Sequence, residues 1–275
     1  MLYCEAKNLG KLCTLSKVEV SEMAKEKSFR ILKKSPIVEA TFQVNFAPKT
    51  LVSEAEAKDF LKTTFPKYVF KEDIYSEQIA VKGNGVKDPP EAITHLQSWV
   101  GVRAQKDKWI LTLFSNGFAL GVLKPYPTDE GFFKEIEKVL GVFSPKYART
   151  AVSRIGLRFI NRFIVDDAGH SFSNLFLTTP KTPSCLGYGE PIRFLHQDVF
   201  LNKETGVTVM VNQVFPANDP LSPREPKVIL DIDASVRPNQ VLESKLLLGA
   251  VENLRFTVNK VFFGSIKKPI IQELS

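Results

Sequence analysis

The chain has 275 residues, of which 44% are hydrophobic and 24% charged, and its formal net charge is +7. These values are typical of a folded protein with one large domain or two small ones, and they exclude a disordered chain, a collagen, a coiled coil and a disulfide-stapled mini-protein. No run of residues approaches the roughly 18 apolar positions of a membrane-spanning helix, so we expect no membrane partner.

The first segment, residues 1–35, is predicted to be a loosely ordered basic tail, because it shows no sustained period of a helix or a strand. Residues 1–34 contain eight Lys and Arg against four Glu, so they contribute +4 of the net charge of +7. The tail is either a basic arm or a solvated leader. The remainder is close to neutral, which is the norm for proteins that do not bind nucleic acid.

Residues 36–168 are predicted to form a first α+β half. The predicted elements are a strand at 37–46, a helix after a capping box at Ser53–Glu56, strands near 68–81, 98–104, 109–114 and 118–123, a helix at 129–143 and a long strand at 151–165. Asn116–Gly117 is the strongest hairpin signal, because a type I′ turn needs positive φ at both of its central residues.

Residues 190–275 are predicted to form a second α+β half, after an irregular segment rich in Pro and Gly. The predicted elements are strands at 192–201, 207–215 and 227–236, and a long C-terminal helix from Asn239 or Gln240 to about Phe263, which Gly264 ends. The βαβ alternation of a doubly wound fold is missing. We therefore predict an α+β fold with antiparallel sheets in two similar halves, each closed by a helix. The long C-terminal helix also offers a surface for homo-oligomers.

The most informative stretch for function is Arg154–Arg162. In a strand, Arg154, Arg158 and Arg162 share one face, because residues two apart point to the same side. Such a row of guanidinium groups can hold an acidic polypeptide, an anionic ligand or a nucleic-acid backbone through bidentate contacts. The alternative is that these arginines pair with carboxylates on neighbouring strands.

Asp231 and Asp233 share one face of another predicted strand. Paired carboxylates can bind magnesium in enzymes of phosphoryl transfer. The alternatives are a solvated strand face or a set of partners for the arginines. No GxxxxGK[ST] loop accompanies the two carboxylates, so the magnesium site is the weaker prediction.

Histidine and cysteine are too scarce to indicate an enzyme. Cys4, Cys13 and Cys185 form neither a disulfide framework nor a zinc site, which favours reduced thiols and a cytoplasmic location. His196 and Asp198 can share a strand face, but no GxSxG nucleophile accompanies them. We therefore expect no catalytic residue, no structural metal and no other cofactor.

Three motifs resemble a sporadically distributed family of uncharacterised prokaryotic proteins. They are Ser35–Phe42 (SPIVEATF) at the start of the fold, Arg154–Arg162 (RIGLRFINR) at its centre and Phe262–Ile266 (FFGSI) in the closing helix. The resemblance covers about residues 30–275 in the right order. It implies an accessory kind of gene and supplies no activity, substrate or site residue.

These observations lead to three hypotheses on function. The first is a non-catalytic binding or accessory protein that captures an acidic partner, in the first place another polypeptide, on the face of Arg154, Arg158 and Arg162. A sporadic distribution would suit a defence or toxin–antitoxin context. The second is a nucleic-acid-binding protein that uses the same face and the Lys-rich tail. The third is a magnesium-dependent phosphoryl-transfer enzyme that uses Asp231 and Asp233.

Overall fold

Ten strands make up the framework of the described chain. The computed structural model describes residues 32–47, 52–82, 92–147, 150–164, 172–178, 193–215, 227–238, 240–241 and 244–275. The strands are β1 (Ile37–Phe46), β2 (Val69–Lys82), β3 (Ala92–Lys106), β4 (Trp109–Phe114), β5 (Gly117–Leu123), β6 (Ala151–Ile164), β7 (Phe194–Leu201), β8 (Thr208–Phe215), β9 (Lys227–Val236) and β10 (Gln240–Val241). The predicted tail at 1–35 lies almost wholly outside the described residues.

The described strands form one antiparallel sheet in the order β2-β3-β4-β5-β1-β6-β9-β8-β7, and β10 pairs with β6. The α+β class is therefore confirmed. The expectation of a separate sheet in each half is wrong, because β6 pairs from Ile155 to Ile164 with β9, and β9 belongs to the other predicted half. Leu32–Ser275 form one compact unit. The similarity of the segments 36–168 and 190–275 stays a prediction.

Helices cover one face of this sheet. They are α1 (Glu54–Thr64), α2 (Asp129–Tyr147), α3 (Phe172–Leu175), α4 (Ser244–Ser265) and α5 (Lys268–Leu274). The core lies between them and the sheet, where the alternate residues Ala40, Phe42, Val44 and Phe46 of β1 are buried, as their spacing predicts. No helix in the described part of the chain is both long and apolar enough to cross a bilayer.

The long C-terminal helix differs from its prediction at both ends. Gln240 pairs with Val152 as part of β10, so α4 begins only at Ser244. Gly264 does not end the helix, which continues to Ser265. The apolar stripe of α4 is buried in the core of the chain, and it includes Leu247, Val251, Leu254, Val258 and Phe262. A homo-oligomer through this helix stays a prediction, but these side chains already have partners within the chain.

The hairpin of β4 and β5 is confirmed, but its turn is not the expected one. Phe114 pairs with Gly117, so the two turn residues are Ser115 and Asn116. Among the described residues, positive φ is recorded at Asp107 and Gly206, and not in this turn. Gly117 is required for another reason, because a Cβ atom there would collide with the carbonyl oxygen of Val44.

Candidate functional site

The face of the sheet opposite the helices carries the sequence-predicted site residues. We call this surface the open face. One row across it, Thr41, Arg158, Asp233, Met210 and Val199, follows the strand register from β1 through β6, β9 and β8 to β7. The strand alternation that turns Phe42 and Leu157 into the core turns these side chains the other way.

Arg158 binds Asp231 with two parallel hydrogen bonds. Its Nε donates to Oδ1 and its Nη2 donates to Oδ2, both at 2.8 Å. The residue opposite Arg158 in register is Asp233, so the guanidinium reaches diagonally along β9. The hydrogen bond to Asp231 raises the pKa of Arg158 above its ordinary value, and partial burial opposes this effect. Asp231 is only 6% exposed, so its charge needs this partner.

A chain of polar side chains extends from this ion pair to the edge of the sheet. Asn212 donates through Nδ2 to Oδ2 of Asp231 at 3.0 Å. Gln197 in turn donates through Nε2 to Oδ1 of Asn212 at 2.6 Å. Arg158, Asp231, Asn212 and Gln197 therefore link β6, β9, β8 and β7, and each fixes the orientation of the next.

Arg154 makes the second ion pair of the open face. Its Nη2 donates to both carboxylate oxygens of Asp233, at 2.8 and 2.9 Å. The guanidinium lies over Gly156, where an added Cβ atom would collide with it. Burial raises the pKa of Asp233, while the charges of Arg154 and Arg158 act in the opposite direction. Glycine at 156 thus allows Arg154 to reach its partner.

Arg162 does not join the other two arginines. It lies further along β6 with an exposed side chain, and its backbone N–H donates to the carbonyl oxygen of Pro36 at 2.9 Å. Neither hollow of the open face has Arg162 among its described lining residues. The structure therefore brings two of the three predicted arginines together, each with a carboxylate partner.

The first hollow lies beside these ion pairs and has a volume of about 340 Å³. We call it the polar hollow. Its charged lining residues are Glu39, Arg103, Arg154, Arg158 and Asp233. Three small lining residues, Ala119, Gly121 and Gly156, leave space that larger side chains would fill.

Arg103 is a site residue that sequence reasoning missed. It faces the polar hollow from β3, and its Nη1 donates to the carboxylate of Glu72 on β2. The signal was present in the alternation of Arg103 and Gln105 with the buried residues Val102 and Ala104. Only the sheet order shows that β3 and β6 face the same hollow.

The second hollow lies on the other side of Arg158 and has a volume of about 350 Å³. We call it the apolar hollow. Its apolar lining residues are Ile160, Leu195, Val214 and Ile229. They come from β6, β7, β8 and β9, so sequence reasoning on single strands could not assemble them. A group bound near Arg158 would have charged donors on one side and apolar side chains on the other.

Both ion pairs leave hydrogen-bond donors unused. Within the described residues, no hydrogen bond uses Nη1 of Arg158, and none uses Nε or Nη1 of Arg154. Each of these groups can donate to a carboxylate or a phosphate oxygen. The carboxylates of Asp231 and Asp233 thus hold the arginines in place without occupying all of their donors.

The two aspartates do not form a ready cation site. Every carboxylate oxygen of Asp231 and Asp233 accepts a hydrogen bond, and a cation would have to compete with Arg158 and Arg154 for them. In the described parts of the chain, no group of three or more His, Cys, Asp or Glu side chains could hold a metal ion. The magnesium-dependent alternative stays a prediction without further support.

Comparison with known proteins returned no matching family model and no matching curated protein. The resemblance to a sporadic prokaryotic family therefore remains a prediction that rests on the three sequence motifs.

Proposed function

We propose that this protein is a non-catalytic binding or accessory protein that captures an acidic polypeptide on the open face of its sheet. The observation that carries the proposal is the polar hollow, where Arg154 and Arg158 keep unused donors while Asp233 and Asp231 hold them in place. A carboxylate of the partner would accept hydrogen bonds from these donors.

The ion pairs support binding because they preorganise the arginines. A free arginine side chain loses rotamer freedom when it binds, at a cost of about 0.5–1.5 kcal/mol. In Arg158 that freedom is already restricted by two hydrogen bonds to Asp231. The unused guanidinium N–H groups of Arg154 and Arg158 beside the polar hollow can only donate hydrogen bonds, so they favour a carboxylate over a cationic group.

The apolar hollow supports a polypeptide over a nucleic acid. It adjoins Arg158 and presents Ile160, Val214 and Ile229 to a bound molecule. A polypeptide can place an acidic side chain in one hollow and an apolar side chain in the other, whereas a nucleic-acid backbone carries a charge at every phosphate. The volume of either hollow suits one or two amino-acid side chains.

We place the protein in the cytoplasm with reduced thiols, and the sporadic distribution that the resemblance implies would suit a defence or toxin–antitoxin system. The similarity of the two halves, 36–168 and 190–275, belongs to the same proposal.

The test uses a fluorescently labelled peptide rich in Glu and Leu, whose binding is followed by anisotropy. We expect saturable binding that Arg158→Gln weakens about tenfold, because one charge-assisted contact is lost. Arg103→Gln should also weaken binding, and it leaves the buried Asp231 with its partner. Lys134→Gln is the matched control, because it removes one positive charge from the exposed side of α2.

Two outcomes would overturn this function. One is a peptide affinity that neither Arg158→Gln nor Arg103→Gln changes. The other is tighter binding of a labelled single-stranded oligonucleotide, steeply weakened by salt and dependent on Arg158, which would establish the nucleic-acid alternative instead.

A further inference from the structure

Among the described strands, β7 forms one edge of the sheet. It pairs with β8 on one side, and no other described strand pairs with it. Alternate residues of an edge strand turn their N–H and C=O groups outward, where another strand can pair with them. Lys and Pro, which commonly protect edges, are missing from Phe194–Leu201, and its register with β8 runs without a bulge.

The side chains of β7 are unusually apolar for an exposed strand. Leu195 is 73% exposed, Val199 is 61% exposed and Phe200 is 57% exposed. Leu195 and Val199 lie on the open face, and Phe200 lies on the opposite face of the same strand. Exposed apolar groups on both faces of an edge favour its coverage by another strand.

The sequence of β7 is complementary to itself when two copies run antiparallel about Gln197. In this register His196, whose Nε2 lies 3.2 Å from Oδ2 of Asp198 in its own strand, also faces Asp198 of the second copy. Leu195 faces Val199 of the second copy. The two-fold axis repeats each pair. An imidazole N–H can donate to a carboxylate, and apolar cross-strand pairs stabilise a sheet. Phe194 then faces Phe200 of the second copy, which adds an aromatic pair.

The neighbouring symmetric registers lack this complementarity. A two-fold axis at Asp198 places the two Asp198 carboxylates opposite each other, which is destabilising. An axis at His196 places Phe194 opposite Asp198 and Leu195 opposite Gln197. A symmetric antiparallel pair must be centred on one residue, because paired residues lie on the same face of the sheet. Gln197 is therefore the favoured centre.

Gln197 is also the last member of the polar chain that begins at Arg158. Its Nε2 donates to Asn212, while no hydrogen bond within the described residues uses its Oε1. In the register about Gln197, the two glutamine amides face each other across the two-fold axis. The chain of polar contacts could then continue from one copy to the next.

We propose that two copies of this protein form a homodimer by antiparallel pairing of β7 about Gln197, so that one sheet runs through both copies. The proposal is independent of the function proposed above, and it uses a different surface from the stripe of α4. Since one strand edge is a small contact, we expect a dimer whose fraction depends on protein concentration.

A charge exchange at positions 196 and 198 tests the pairing in the full-length chain by sedimentation velocity. His196→Asp places two carboxylates opposite each other, and Asp198→Lys places a cation opposite His196. Each variant alone should remain monomeric at concentrations at which the unaltered protein dimerises. An equimolar mixture of the two variants should form a heterodimer, because the introduced carboxylate then faces the introduced ammonium group, while the other pair keeps Asp198 opposite His196.

The double variant His196→Asp/Asp198→Lys should likewise recover the homodimer. Val69→Lys is the control, because it introduces a charge at an exposed position on β2, at the other edge of the sheet. A monomer over about a hundredfold range of protein concentration would overturn the proposal. A dimer that persists in both single variants, or that the mixture fails to restore, would overturn the register about Gln197.

Discussion

Two ion pairs decide the chemistry of the open face at the scale of single residues. Arg158 and Asp231 are 73 positions apart in the sequence, yet two hydrogen bonds of 2.8 Å join them. Removing one member of such a pair leaves the other without its partner. The free-energy cost of the unpaired charge often exceeds the net stabilisation that the pair provides. Asp231 is buried, whereas Arg158 is partly exposed. Loss of Arg158 therefore costs more than loss of Asp231, because it leaves the buried carboxylate unpaired.

A double-mutant cycle measures this coupling. We expect Arg158→Ala and Asp231→Ala each to lower the free energy of unfolding, and the double variant to lower it by less than the sum. Because Arg158 is 46% exposed, solvent screens the pair, and we expect a coupling of about 1 kcal/mol. Urea denaturation followed by circular dichroism supplies the three differences.

The exposed pair Glu130–Lys134 on α2 is the matched reference for that cycle. Its side chains are 75% and 65% exposed, so solvent screens this pair more strongly than the pair on the open face. Equal coupling energies in the two cycles would show that partial burial adds nothing to the pair on the open face.

At the scale of elements, local sequence signals predicted where most helices and strands lie. The capping box of α1 is confirmed, because Ser53 accepts from the backbone N–H of Glu56 while the Glu56 carboxylate accepts from the N–H of Ser53. The start of α4 was wrong, since Gln240 pairs with β6 and this partner is distant in sequence. Local patterns thus identify helix caps and strand alternation. They do not show where a distant strand pairs with a segment that would otherwise be predicted as helix.

The hydroxyl of Ser53 caps the first turn of α1. Ser53→Ala removes the acceptor for the N–H of Glu56, so we expect the free energy of unfolding to fall by about 1 kcal/mol. Thermal or urea unfolding measures the change. Thr63→Ala, in the last turn of the same helix, is the control and should change the value by less than about 0.5 kcal/mol. An equal loss in both variants would contradict the role assigned to the cap.

For the molecule as a whole, burial of tyrosines couples the fold to alkaline pH. Burial raises the pKa of Tyr68 to about 12, and Tyr126 shifts in the same direction because it is buried and hydrogen-bonded to Asp129. The unfolded chain loses these protons near pH 10. Because the pKa is higher in the folded state, the tyrosines contribute fully to the free energy of unfolding below pH 10. This contribution is lost as the pH rises toward 12.

The midpoint temperature of thermal unfolding should therefore decrease as the pH rises from about 10 to about 12. Tyrosinate absorbance should increase as the protein unfolds. Tyr68→Phe removes one of the titrating groups and should make this fall shallower. A midpoint that is independent of pH over this range would contradict the burial of both tyrosines.

The sequence alone determined the α+β class, the alternation of β1 and β6, the cap of α1 and the shared face of Arg154 and Arg158. Each of these follows from contacts between residues a few positions apart, which composition and spacing express directly. The tertiary structure decided the single sheet, the ion pairs, both hollows and the edge at β7. These depend on which strands become neighbours, and strand pairing is set by burial and closure over the whole chain rather than by any local pattern.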